Sequence, residues 1–179
     1  MEENKEILNA SPQPAPTGIQ TEDPNGINIG GWLILFAIGI VITPFRVGFV
    51  LYQIISNITV PGVWQAITTP GMEAYHPLWQ PIITAEIGVN TLIVITAVFI
   101  AVLFFLRKKI VPLAIIIYLL FSMVFVSLDY IFSNMIPAVS QANGKDMQGS
   151  ISVIQAVGIC LIWVPYFIIS KRVKKTFVK

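Results

Sequence analysis

The chain has 179 residues, enough for one modest unit rather than several domains. Hydrophobic residues make up 55% and charged ones 11%, against roughly 45–50% and 25% in ordinary globular domains, so a conventional water-soluble fold is excluded. The net charge of +2 is too small to imply a nucleic-acid partner, and one cysteine (Cys160) with one histidine (His76) excludes an intrachain disulfide and a Cys/His zinc site.

Residues 1–29 are polar and proline-rich, with Pro12, Pro14, Pro16 and Pro24. Such a stretch buries too little apolar surface to offset its ordering entropy, so a disordered cytoplasmic leader is expected. It lacks a basic region running into an apolar one and does not read as a signal peptide.

Four apolar segments follow, over about 30–56, 82–106, 111–136 and 151–170. A hydrocarbon core roughly 30 Å thick takes about 20 helical residues, and each segment is at least that long. Lipid offers no partner to backbone amides and carbonyls, so the segments must be helical. The expected fold is an all-α membrane protein, with four transmembrane helices in one bundle over 30–170 and a basic cytoplasmic tail over 171–179.

Orientation follows from the flanking cations. Arg107, Lys108 and Lys109 separate the second and third spans; Lys171, Arg172, Lys174 and Lys175 follow the fourth. The opposite loops hold only Lys145 and His76 as groups able to carry positive charge. Both termini are therefore expected in the cytoplasm, with the seven cations as anchors. Trp32, Tyr118, Trp163 and Tyr166 fall toward that side, and Trp64, Tyr75 and Trp79 toward the other, as in interfacial aromatic belts. The outer loop, 57–81, contains Pro61, Pro70, Pro77 and Pro81 and cannot be one continuous helix; "PGVWQAI" fits a short interfacial turn, and His76 an ordinary exposed loop residue.

Polar residues inside the spans stand out against this background. At about 1.5 Å per residue, Arg46 lies about 21 Å from the cytoplasmic edge, Glu86 about 24 Å and Asp129 about 26 Å, with Gln155 at a similar height. Asn90 lies one turn below Glu86, and Gln53 two turns above Arg46. A charge at mid-helix costs about 2.5–3.5 kcal/mol on insertion scales, so Arg46 is expected to turn inward with its guanidinium holding one or both carboxylates. Two acids against one base leave an imbalance, so one acid is expected to hold its proton or face water. Two readings stand side by side: a polar glue between helices, or an outward-facing pocket for a proton, ion or small polar ligand. Pro44 and Pro165 each remove an amide donor inside a span and are expected to kink it. Cys160 reads as a packing residue.

No Gly-rich phosphate loop, nucleophile with a base, or metal constellation is present, so no enzyme, cofactor or metal is expected. The first and third spans do not match as an inverted repeat, because the third has no internal proline.

Two stretches, "GGWLILFAIGIVITPFR" over Gly30 to Arg46 and "WVPYFIISKRVKKTF" over Trp163 to Phe177, resemble the bacterial membrane-protein family known as domain of unknown function 2569. The resemblance runs from about Ile29 to Val178. It implies a four-helix bacterial inner-membrane protein and carries no established activity or catalytic residue. The expected function is a non-enzymatic accessory or assembly protein in the bilayer, either as a homo-oligomer or with a membrane-protein partner. The alternative is a small transporter or channel-like protein using Arg46, Glu86 and Asp129. Four helices leave little room for a path through one copy, so transport would call for an oligomer.

Overall fold

The computed structural model describes residues 29–178, and of residues 142–146 and 148 the backbone alone. The expected leader lies outside the described residues except for Ile29. Seven helices follow in order: α1 (Trp32–Ile58), α2 (Val63–Thr68), α3 (Trp79–Phe105), α4 (Val111–Ser133), α5 (Pro137–Asp146), α6 (Gln148–Ile169) and α7 (Lys171–Thr176). Among the described residues no strand forms. The helices α1, α3, α4 and α6 are each long and apolar enough to cross a membrane. They run up, down, up and down, and their ends fall within three residues of those read from the sequence.

The differences have local causes. Helix α3 begins at Trp79 rather than at residue 82, because Pro81 sits in its first turn, where amides have no intrahelical partner. Helix α4 stops at Ser133, four residues before Pro137. There Met135 and Ile136 donate backwards to Phe132 and Ser133, and the Asn134 side-chain amide donates to the Tyr130 carbonyl at 2.7 Å. Pro137 therefore opens α5. Between α1 and α3 the "PGVWQAI" stretch forms the single helical turn-and-a-half of α2. His76 departs from the exposed loop residue expected: it is half-buried, and its Nδ1 accepts the Leu78 amide at 3.3 Å just before α3.

Packing is concentrated at the end of the bundle that carries the cations, here called the basic end. Leu33, Phe36, Ala37 and Ile40 from the first third of α1 meet Ile100 and Phe104 of α3, Val111 and Ile115 of α4, and Phe167 of α6. Lipid supplies little hydrophobic drive between helices, so close van der Waals and ring contacts must hold this end together. Phe36 is central, with its ring 5.0 Å from Trp163, 4.8 Å from Phe167 and 5.9 Å from Phe104.

The expected C-terminal tail is instead part of this core. Ser170 caps α7 by accepting the Val173 amide, and α7 turns Val173, Thr176 and the following Phe177 inward. Phe177 stacks edge-on against Phe104 at 5.2 Å. Lys171, Arg172, Lys174 and Lys175 stay exposed on the other face. Gly31, at φ +60° and ψ −137°, starts α1 in a conformation open essentially to glycine, with the Arg172 guanidinium 3.5 Å from where a Cβ would stand. The entrance of the first span and the exit of the last thus lie against each other. At the α3–α4 turn, Arg107 adopts φ +56° while the Lys108 amide reaches back to the Leu103 carbonyl and the Arg107 amide to Phe104, a Schellman-type end without glycine.

Candidate functional site

Toward the opposite, far end the bundle opens. Helix α1 packs along α3, α3 along α4, and α4 along α6, whereas α1 and α6 approach closely chiefly where Phe36 meets Trp163 and Phe167. No residue of α1 beyond Ile40 is fully buried. Above the aromatic floor, this separation leaves a cavity of about 420 Å³ lined by all four long helices.

The five polar residues singled out in the spans all line it: Arg46 from α1, Glu86 and Asn90 from α3, Asp129 from α4 and Gln155 from α6. Gln53 does not. Heights above the basic end follow from the helical rise. Arg46, Asn90 and Gln155 sit at about 21–22 Å, and Glu86 and Asp129 form a second tier at about 27–28 Å. Below both, the walls are mostly apolar, with Leu35, Phe36, Ile40, Leu119 and Ile159, interrupted by the hydroxyls of Thr43, Tyr118 and Ser122. The cavity is thus ordered along the bundle axis: carboxyls outermost, guanidinium next, a mostly apolar wall with a few hydroxyls beneath.

Arg46 does not hold the carboxylates as expected. Its side chain is exposed and makes no ion pair or hydrogen bond among the described residues. The reason lies in helix direction, since every Cα–Cβ bond tilts toward its helix N-terminus. For α1 that is the basic end, so Arg46 starts downward, while Glu86 on the antiparallel α3 starts toward the far end. The two diverge from tiers already about 6 Å apart. Asp129, on α4 parallel to α1, starts downward as Arg46 does, so its separation rests on the difference in tier and on α1 and α4 not packing along each other. Glu86 and Asp129, on neighbouring helices, are close enough to act on one another electrostatically. No side chain of the five forms a hydrogen bond or ion pair with another part of the protein among the described residues.

Contacts between helices come from other residues. The Tyr130 and Ser150 hydroxyls meet at 2.9 Å between α4 and α6, and the Cys160 thiol donates to the Leu119 carbonyl at 3.3 Å. The Thr43 hydroxyl, on the cavity wall, is directed back to the Gly39 carbonyl at 2.8 Å. Ser122 lines the cavity beside the Tyr118 hydroxyl, with its Oγ buried and without a hydrogen bond of full geometry among the described residues. Ser122 and Ser152 were not singled out in the sequence, and Tyr118 was read only as part of an aromatic belt, yet a signal existed. Tyr118, Ser122 and Asp129 share one stripe of α4 at spacings of four and seven. Ser152, Gln155 and Trp163 share one of α6 at spacings of three and eight.

Pro44 and Pro165 lie inside α1 and α6, which continue through them. Their missing amides leave the carbonyls of Ile40 and Leu161 without an i+4 donor. All seven cationic anchors gather at the basic end, on the α3–α4 turn and on α7.

Compared with known proteins, residues 27–178 match the family described as "Protein of unknown function (DUF2569)". No curated protein and no solved structure matches the chain. The match takes in every described helix, from the Gly-Trp-Leu entrance to the packed basic exit, and the chain belongs to the DUF2569 family.

Proposed function

We propose that this multi-pass membrane protein is a non-enzymatic component of the bacterial inner membrane, with both termini cytoplasmic, that works by binding a small ligand in the cleft between α1 and α6. One observation carries the reading: Arg46, Glu86, Asn90, Asp129 and Gln155 line one cavity while their side chains form no hydrogen bond or ion pair among the described residues. A polar layer serving as glue satisfies its groups between helices, because unsatisfied polar groups in hydrocarbon cost several kcal/mol each, about 2 kcal/mol or more. Here that task falls to Tyr130 with Ser150 and to Cys160 with Leu119. Groups left unbonded around a space are groups available to a guest.

An accessory role, in which a partner helix seats between α1 and α6, has its own support in the exposure of Arg46 and Gln155 on that side. The two separate by experiment. The full chain is purified with its native lipids, and every stoichiometric companion is identified by mass spectrometry. A defined small molecule supports the pocket, and Asp129→Asn should weaken its retention while leaving assembly intact. A stoichiometric protein supports the accessory role instead. Asp129→Asn that dissolves the assembly returns the layer to the role of glue. Ligand-coupled flux in vesicles extends the pocket to transport, through an oligomer.

A further inference from the structure

We infer that the guest of this cleft is a zwitterionic phospholipid of the ethanolamine type, entering sideways between α1 and α6 with its ammonium at Glu86 and Asp129 and its phosphate at Arg46. The inference rests on the pocket reading above and names its ligand class.

The argument starts from the order of chemistry along the cleft. A phospholipid presents, from the membrane surface inward, an ammonium, a phosphate about 4–5 Å below it, and acyl chains. The cleft presents two carboxyls, a guanidinium about 6 Å below them, and mostly apolar walls with a few hydroxyls beneath. Sequence and spacing agree, and the far end lies at a membrane surface because α1 and α3 are each 27 residues long, about 40 Å.

Charge supplies the second strand. Glu86 and Asp129 line the cavity with no cation paired to either among the described residues, and an ammonium placed there would be drawn to whichever carboxyl is ionised. Arg46 has no anion among the described residues, and its planar fork suits a phosphate. A purely anionic headgroup would satisfy Arg46 but face the acids; a simple cation would leave Arg46 unmatched. Only a zwitterion answers both. Asn90, Gln155 and the buried Ser122 Oγ add groups able to meet headgroup and ester oxygens.

Shape supplies the third. The cleft is closed below by Phe36 and Trp163, yet α1 and α6 are not packed together above them. A ligand with tails needs such a side opening, since its chains must leave the cleft into the bilayer. A small soluble zwitterion does not need one.

The test is lipid retention by the full chain in detergent, read by native mass spectrometry as phosphatidylethanolamine, phosphatidylglycerol or free phosphoethanolamine is titrated. A one-to-one phosphatidylethanolamine adduct is expected, retained about tenfold over phosphatidylglycerol, the scale of one charge-assisted hydrogen bond. Arg46→Gln and the pair Glu86→Gln with Asp129→Asn should each erase about that preference. Ala156→Phe, which fills the cleft without touching a charge, should lower retention of every lipid there. Helicity by circular dichroism identifies any variant that fails to fold, and Ala156→Phe then decides.

Equal retention of the two lipids, or a preference untouched by the charge variants, overturns the inference while leaving some other guest to the pocket. Free phosphoethanolamine bound as tightly as the lipid overturns it in favour of a soluble zwitterion. Retention of no molecule, with Ser122→Cys sealed from aqueous thiol reagents, removes the pocket reading as well.

Discussion

Replacing Phe36 by alanine tests whether the basic end closes the bundle. Phe36 is 7% exposed and makes three ring contacts, at 4.8, 5.0 and 5.9 Å from Phe167, Trp163 and Phe104. In water, Phe→Ala in a core costs about 3–5 kcal/mol, part of it transfer of the ring from water. That part is largely absent here, because the reference state keeps the ring in lipid. What remains is the ring contacts, about 0.5–1.5 kcal/mol each, which gives about 1.5–4.5 kcal/mol in all. Phe45 supplies the control: on the same helix it is 74% exposed, and its removal should change stability by less than about 0.5 kcal/mol. The assay is unfolding of the full chain in mixed micelles with rising dodecyl sulfate, followed by circular dichroism. If Phe36→Ala falls within about 0.5 kcal/mol of Phe45→Ala, the aromatic junction does not hold α1 to α6 and the packing argument is wrong.

The same assay reads three further changes. Gly31→Ala should destabilise by about 1–3 kcal/mol, because its φ and ψ suit only glycine, whereas Gly158→Ala, inside α6 with open space around it, should be neutral or stabilising by up to about 1 kcal/mol. Arg107→Gly should stabilise by about 1 kcal/mol by relieving a left-handed backbone, and no gain would mean that the arginine side chain offsets its strain. Tyr130→Phe, which removes the hydroxyl facing Ser150, should cost about 0.6 kcal/mol, the usual scale for a hydrogen bond between membrane helices; a loss above about 2 kcal/mol would show a larger network.

Much of this architecture is legible in the sequence because membrane solvent imposes a coarse rule. Runs of about 20 apolar residues have to be helices, and a charge within them stands out. Arg46, Glu86, Asn90, Asp129 and Gln155 were visible on that ground, and the structure gathers them around one cavity. The shape of that cavity was not legible. In lipid, a residue facing a cleft and one facing an acyl chain have similar hydropathy, so nothing in the composition of α1 says that packing stops near Ile40. Nor was the separation of Arg46 from Glu86, since counting residues gives height but not the direction of Cα–Cβ bonds on antiparallel helices.

Two short elements were missed for a different reason. Helix α7 has six residues, three of them Lys and one Arg, and reads as a solvated tail until Val173 and Phe177 are seen four apart on one face. Helix α5 is polar and begins with Pro137, a residue that marks a helix start as readily as an end. In both, tertiary contact or turn chemistry decides what local composition leaves open.

The central claim is that the polar layer lines an open cleft rather than a sealed helix interface, and thiol accessibility measures it most directly. In a Cys160→Ala background, single cysteines replace Gln155 and Asn90 in the cleft and Ile154 and Leu161 on exposed apolar faces outside it. Each full-length variant in lipid vesicles is exposed to a small, charged, membrane-impermeant thiol reagent. The account predicts that the two cleft cysteines react at least about tenfold faster than the two outside it, because ionised thiolate forms where water reaches. Equal inertness at all four positions would mean that Arg46, Glu86 and Asp129 are sealed from water, and the cleft as a binding site would fall.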